Sequence, residues 1–165
     1  MRHEESNLQQ QCVAWFRVQY PQYAMLLTHV PNEGNGNRVS GAIHKAEGTV
    51  AGVPDLLLFL PSWYPEKGKD DATVWCLVHG LGIEMKSEKG KVRQSQKDFK
   101  KMFEAAGYRY EIVRSLDEFK TLIKSYITFV HHALAYEIGM AHKAIKEAAE
   151  QREKEHFYKV IGKKP

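Results

Sequence analysis

Two short apolar runs, each with charge set at its edge, constrain this chain more than any other feature. The first is Gly52-Val53-Pro54-Asp55-Leu56-Leu57-Leu58-Phe59-Leu60 and the second is Gly82-Ile83-Glu84-Met85-Lys86. A continuous apolar run of this length fits a buried strand. Side chains alternate faces along a strand, so Glu84 and Lys86 share one face and Met85 takes the other. If the two runs pair in one sheet, Asp55, Glu84 and Lys86 meet at one spot. An ionised carboxylate beside a buried strand is costly unless a cation or a donor pairs with it. Two carboxylates and an ammonium together suit a hard divalent cation and phosphodiester cleavage. Each residue alone has a blander explanation: Pro-Asp often marks a turn, and an acid two residues before a lysine is often a solvated strand face. The combination carries the weight.

The remaining composition limits the classes open to such a site. With 165 residues, 43% hydrophobic and 27% charged, the chain fits one globular domain with a real core. The formal charge of +4 permits a polyanionic partner without demanding one. Basic residues cluster after the second run, at Lys86, Lys89, Lys91, Arg93, Lys97, Lys100 and Lys101, against Glu88 and Asp98. The two cysteines, Cys12 and Cys76, form no C-x-x-C pair, which argues against structural zinc and a disulfide scaffold. A reducing cytoplasm is the expected compartment. Nothing near Met1 resembles a signal peptide, and no apolar run approaches a membrane span.

Taken in order, Leu8, Cys12, Val13, Phe16 and Tyr20 fall at helical spacing, and Pro21 closes that segment. Glu5 lies in line with Cys12 and Phe16, on the buried flank of this helix, where an acid in the first turn also serves the dipole. Tyr23 to Val30 reads as a strand. The polar, glycine-rich stretch Pro31 to Arg38 reads as a loop; it fits neither a dinucleotide fingerprint nor a P-loop, but its amides could lie against a phosphate backbone. A short helix is expected from Val39 to Glu47, a strand from Leu56 to Leu60, and an irregular loop from Pro61 to Ala72. Thr73–Val78 and Leu81–Met85 read as strands and Ser87–Arg93 as a basic turn. Gln94–Ala106 reads as an amphipathic helix with Phe99, Met102 and Phe103 facing the core, followed by a strand from Tyr108 to Val113. Ser115 is an N-cap for a helix whose apolar face carries Leu116, Phe119, Leu122, Ile123 and Tyr126. From about Ile127 to Glu155, Val130, Leu134, Ile138, Ala141, Ile145 and Ala148 recur at intervals of three and four, so that face must pack on the domain or on a second chain.

Asp55 with Glu84-Met85-Lys86 resembles the PD-(D/E)XK nuclease signature. The ordered set Glu5-x-x-Leu8-Gln9, Pro31-Asn32, Lys45-Ala46-Glu47-Gly48, Ala51-Gly52-Val53-Pro54-Asp55-Leu56, Ile83-Glu84-Met85-Lys86, Gly90-Lys91, Gln96, Gly107-Tyr108 and Arg114-Ser115 is similar to the VRR-NUC (virus-type replication–repair nuclease) family. The resemblance covers roughly residues 5 to 127. The loop after Pro31-Asn32 departs from the family's usual Pro-Asn-Gly-Gly by carrying Glu33 and an extra Asn-Gly.

The resemblance implies an α/β fold of the restriction-endonuclease-like type: a mixed central sheet flanked by helices, here with a long C-terminal helix added. It implies a nuclease domain over residues 1–127, leaving 128–165 as a helical extension and candidate dimerisation element. It implies Mg²⁺ or Mn²⁺ held by Asp55, Glu84 and the Met85 carbonyl, with Glu5 as an outer or second-metal contact. Lys86 would orient or deprotonate the attacking water, and Gln96 would hold that water, the metal shell or a phosphate. Asn32, Arg38, Lys45, Lys89, Lys91 and Arg93 would contact DNA. The stand-alone members are commonly phage or prophage encoded and resemble dimeric Holliday junction resolvases, so a homodimer acting on branched DNA, a four-way junction or a flap, is expected in a bacterial or phage-infected cell. Two other readings stay open: a flap or restriction-type nuclease on the same core, and a non-catalytic junction-binding protein.

Overall fold

The computed structural model describes residues 2–31, 43, 46–68 and 72–161. The chain opens with helix α1 (Arg2–Gln19), whose first turn carries Glu4 and Glu5 and whose last turn carries Arg17, each charge opposing the helix dipole at its end. Cys12 and Phe16, one turn apart, are completely buried. Pro21 then starts a 3₁₀ turn (Pro21–Leu26), and strand β1 spans only Leu27–His29. The strand expected over Tyr23–Val30 is therefore less than half as long. Proline fixes φ in the helical range, so the chain after it coils before it extends.

Strands β2 (Leu56–Leu58), β5 (Leu81–Met85) and β6 (Arg109–Val113) complete a four-stranded sheet in the order β1-β2-β5-β6. Strand β2 runs antiparallel to both β1 and β5, with Leu56 opposite Ile83, and β6 joins β5 in parallel, with Val113 beside Met85. Helix α2 (Gln94–Ala105) makes the crossover that a parallel pair requires. Every residue of β5 is buried, as befits a central strand covered on both faces. Helix α3 (Leu116–Thr128) follows β6, its first turn capped by Ser115 Oγ, which accepts the Glu118 N–H at 3.1 Å. The core lies between this sheet, α1 and α3, where Phe16, Leu56, Ile83, Met85, Val113, Phe119 and Ile123 pack together.

The segment from Pro61 is a hairpin, not the irregular loop its Pro, Gly and Ser content suggests. Strand β3 (Ser62–Lys67) pairs antiparallel with β4 (Thr73–Val78) in a separate two-stranded sheet, with Pro65 opposite Trp75. Proline is tolerated because both strands are edges. Tertiary bonds fix the hairpin: Ser62 Oγ donates to the Tyr126 carbonyl at 2.7 Å, and Tyr126 donates back to the Leu60 carbonyl at 2.8 Å. Leu81–Met85 is thus a neighbour in the other sheet, not a continuation of β4.

On α2, Phe99 and Phe103 stand one turn apart and face inward, whereas Met102 is 74% exposed. Helix α4 (Val130–Ile161) begins after a break at Phe129, whose ring packs on Trp75. Val130 and Ala133 are fully buried, and Tyr136 packs on Trp63. From Ile138 to Glu155 the α4 side chains are exposed. Among the described residues no helix is long and apolar enough to cross a membrane.

Candidate active site

The β2–β5 register brings the two charged run edges together. Asp55, one residue before Leu56, accepts the Met85 N–H through Oδ2 at 2.8 Å. Its own carbonyl is held by the Val30 N–H, just after β1, at 2.9 Å, and lies 3.0 Å from His29 Nδ1. That same nitrogen lies 2.8 Å from Gln9 Nε2 on α1.

Glu84 is 2% exposed and sits among three donors. Lys86 Nζ donates to Oε1 at 2.7 Å, Gln96 Nε2 donates to the same oxygen, and Tyr110 donates to Oε2 at 3.1 Å. The shared face of Glu84 and Lys86 is realised, while Met85 enters the core opposite. Gln96 faces two ways: its Oε1 accepts the Arg93 N–H at the start of α2, at 2.9 Å, which aims its amide nitrogen at Glu84. Close packing of α2 on β5 makes this reach possible. A Cβ on Gly82 would lie 2.7 Å from Pro54 and 2.9 Å from Phe103, and one on Gly52 would lie 2.2 Å from the Ser95 carbonyl oxygen.

Burial raises the pKa of Glu84 above the ordinary carboxylate range, opposed by the Lys86 hydrogen bond and reinforced by the negative charge of Asp55. Burial likewise raises Asp55, opposed by the Met85 N–H and Lys86 and reinforced by Glu5. Burial, with Glu84 beside it, keeps the Tyr110 hydroxyl protonated far above its usual range, so it remains a donor.

Glu5 reaches the site from α1, and its Oε1 accepts the Ser87 N–H at 2.9 Å. Arg114, directly after β6, directs Nη1 at three carbonyl oxygens of the following turn, those of Ser87 (2.7 Å), Gly90 (2.9 Å) and Glu88 (3.2 Å). Beside them a groove of about 450 Å³ opens, lined by Asn7, Leu8 and Gln11 of α1 and by Lys86, Ser87 and Arg114. Lys89, Lys91 and Arg93 are exposed on the connection from β5 to α2. Asn32, Arg38 and Lys45 lie outside the described residues.

The oxygen donors fit a hard divalent cation. Two carboxylates whose ionised forms are disfavoured by burial and by each other gain from a positive charge between them. Lone-pair capacity remains, because Glu84 Oε2 takes one donor and Asp55 Oδ2 takes one. Magnesium keeps several waters and needs only one or two carboxylates. Among the described residues no three His, Cys, Asp or Glu side chains converge as a ready-made cage. Glu5 approaches from α1 with Oε1 on the Ser87 amide.

Sequence reasoning assigned no role to Tyr110, Arg114 or His29. Tyr110 was legible only as one residue of a strand; its position on the Glu84 face depends on the β5–β6 register. His29 stood in a stretch read only as a strand. Arg114 carries a signal, since it belongs to the ordered set of motif residues, but its target is backbone, which no sequence pattern reveals.

A mixed sheet with an antiparallel half, a β5–α2–β6 crossover, and Asp55, Glu84 and Lys86 gathered at β2 and β5 together define a nuclease core of the PD-(D/E)XK type. The chain belongs to the VRR-NUC domain family, whose profile matches residues 1–117. A solved structure described as a VRR_NUC domain protein superposes with a TM-score of 0.59 at 22% identity, covering 76% of this chain and 88% of that one. No curated protein matches the chain in sequence. The family indicates a nuclease, with DNA as its substrate.

Proposed function

We propose that this protein is a metal-dependent, structure-selective DNA endonuclease that hydrolyses phosphodiester bonds in branched DNA in the manner of a Holliday junction resolvase. The observation that supports this most is the bonded group of Asp55, Glu84, Lys86 and Gln96 at adjoining strand ends. Asp55, Glu84 and the Met85 carbonyl would hold Mg²⁺ or Mn²⁺. When bound, the ion supplies Lewis-acid charge at the scissile phosphate.

The chain's own residues do the remaining work. Glu84 holds Lys86 Nζ at 2.7 Å, so the ammonium is fixed before DNA arrives. In that place it orients the attacking water and offsets charge on the pentavalent phosphorus. Water adds to phosphorus and gives up a proton to solvent, while the bond to the 3′ oxygen breaks and that oxygen takes a proton from solvent. A 5′-phosphate and a 3′-hydroxyl result. Gln96 keeps Glu84 in place, and Glu5 fixes the backbone after Lys86. The exposed Lys89, Lys91 and Arg93 contact phosphates, which positions DNA without reading sequence.

A resolvase acts on paired strands and needs two sites, so a homodimer belongs to this reading. The part of α4 beyond the core supplies a face for it, with Ile138 56% and Ile145 66% exposed and Ala141 and Ala148 between and after them. Residues 1–127 would form the nuclease domain and the rest of the chain the dimerisation element, in the cytoplasm of a bacterial or phage-infected cell.

The test is a matched panel of four-way junction, 5′ flap, 3′ flap, single strand and duplex, each with Mg²⁺, Mn²⁺ or EDTA. Metal-dependent, symmetric junction cutting is expected, and Asp55→Asn should abolish it while junction binding survives. Flap cutting alone would replace the resolvase with a flap nuclease. Tight junction binding without cleavage would leave a junction-binding protein.

A further inference from the structure

Arg114 stands in a mildly basic chain beside a groove that reaches Lys86, where an arginine is ordinarily assigned to DNA phosphate. Its hydrogen bonds go elsewhere. Nη1 points at the carbonyl oxygens of Ser87, Glu88 and Gly90, all in the turn that directly follows Lys86. That turn is closed by the Gly90 N–H on the Ser87 carbonyl at 2.9 Å. Its amide side is held by Glu5, through the Ser87 N–H. Arg114 is itself anchored, because its N–H donates to Glu118 Oε2 at 2.7 Å in the first turn of α3.

The turn leans on the lysine. A Cβ placed on Gly90 would lie 3.2 Å from Lys86 Cδ and 3.1 Å from both Glu5 Oε1 and Ser87 Oγ. Gly90 thus packs against the stem that carries Nζ to Glu84. Lys86 is tied at its backbone too, where its N–H donates to the Val113 carbonyl, the residue before Arg114.

We infer that Arg114 is a positioning residue: it clasps the Ser87–Gly90 turn so that Gly90 walls in the Lys86 stem and holds Nζ in its reacting place. This rests on the nuclease reading above and deepens it. A guanidinium suits the task because the two N–H bonds of Nη1 lie in a rigid plane and meet the three carbonyls, between which they are shared, at fixed angles, whereas a lysine ammonium turns freely on a flexible stem. Small misplacement of a reacting group is enough to slow chemistry by about 100-fold.

The test compares wild type, Arg114→Lys, Arg114→Ala, Lys86→Ala and the double variant Arg114→Lys with Lys86→Ala. Three readings are taken: single-turnover cleavage at saturating DNA, DNA Kd with its salt dependence in EDTA, and hydrogen exchange at the Ser87 and Gly90 amides. Arg114→Lys should cut the cleavage rate by about 10- to 100-fold, leave Kd and its salt slope unchanged, and speed exchange at both amides. It should add no further loss in the Lys86→Ala background. A weaker Kd with a shallower salt slope would make Arg114 a phosphate contact and overturn the inference. So would unchanged amide exchange, or a loss that multiplies with that of Lys86→Ala. If Arg114→Ala does not fold, Arg114→Lys carries the test alone. If wild type cleaves nothing, the nuclease reading falls by itself, and amide exchange still decides whether Arg114 holds the turn.

Discussion

Asp55 and Glu84 are each more easily ionised in an unfolded chain than in this fold, and burial is the main cause for both. The sign of the consequence follows from linkage. A carboxyl with a raised folded pKa binds its proton more tightly when folded, so the stability it contributes is present below its ordinary pKa and is lost as pH rises through the folded value. The metal-free protein should therefore be less stable at pH 7 than around pH 4–5 as far as these two groups decide it. Asp55→Asn keeps an oxygen able to accept the Met85 N–H and removes the charge. In EDTA this variant should melt above wild type at pH 7, and the two should converge as pH falls. Added Mg²⁺ should raise the wild-type melting temperature and leave the variant where it was. A variant that melts lower throughout would mean the carboxylate is structural. Tyr110 gives a second reading at this scale. Its hydroxyl donates to buried Glu84, a bond of the charge-assisted kind, so Tyr110→Phe should cost about 1.5–3 kcal/mol in denaturant unfolding.

At the scale of elements, the site depends on how tightly α2 lies on the strands before it. Gly48 and Gly52 share a left-handed backbone, with φ of 96° and 95°. They differ in surroundings: among the described residues a Cβ at Gly48 meets nothing within 4 Å, whereas one at Gly52 falls 2.2 Å from the Ser95 carbonyl oxygen, next to Gln96. Alanine at Gly48 should cost only the backbone strain, about 1 kcal/mol. Alanine at Gly52 should cost at least about 3 kcal/mol, since the same strain is joined by a backbone collision that only a shift of α2 relieves. Equal effects in urea unfolding would show that α2 does not need its close approach. The hairpin of β3 and β4 works differently. Among the described residues it adds no side chain to the site, and Ser62, Trp63 and Trp75 fasten it to Tyr126 and Tyr136 of the last two helices and to Phe129 between them.

On the scale of the whole molecule, α4 plays two parts along its length. Its first two turns belong to the core, through Val130, Ala133 and the Tyr136–Trp63 contact. Beyond Glu137 its face is exposed, and Ile138 and Ile145 stand about two turns apart on it. A chain ending at Glu137 should keep the melting temperature within a few degrees and give the mass of a monomer by light scattering. One ending at Tyr126 also loses buried Val130 and Ala133 and should be less stable by about 2–4 kcal/mol. A dimer that survives the first truncation would exclude the part of α4 beyond Glu137 as the interface.

Much of this was legible in the amino-acid order because it rests on local chemistry. Alternation put Glu84 and Lys86 on one face, helical spacing placed Cys12 and Phe16 inward, Ser115 announced its helix, and the ordered motif residues pointed to the VRR-NUC family. What distance along the chain concealed, the tertiary structure decided. Pro61–Ala72 has the composition of a loop, and its strand exists because β4 and Tyr126 offer bonding partners. Tyr110 joins Glu84 only through the parallel register of β5 and β6, and Arg114 meets the turn after Lys86 only because β6 ends beside it. Residue type and spacing determine which groups this chain can offer to a site; pairing of strands remote in sequence determines which of them meet, since a hydrogen bond needs its partner within about 3 Å and no single segment can specify that.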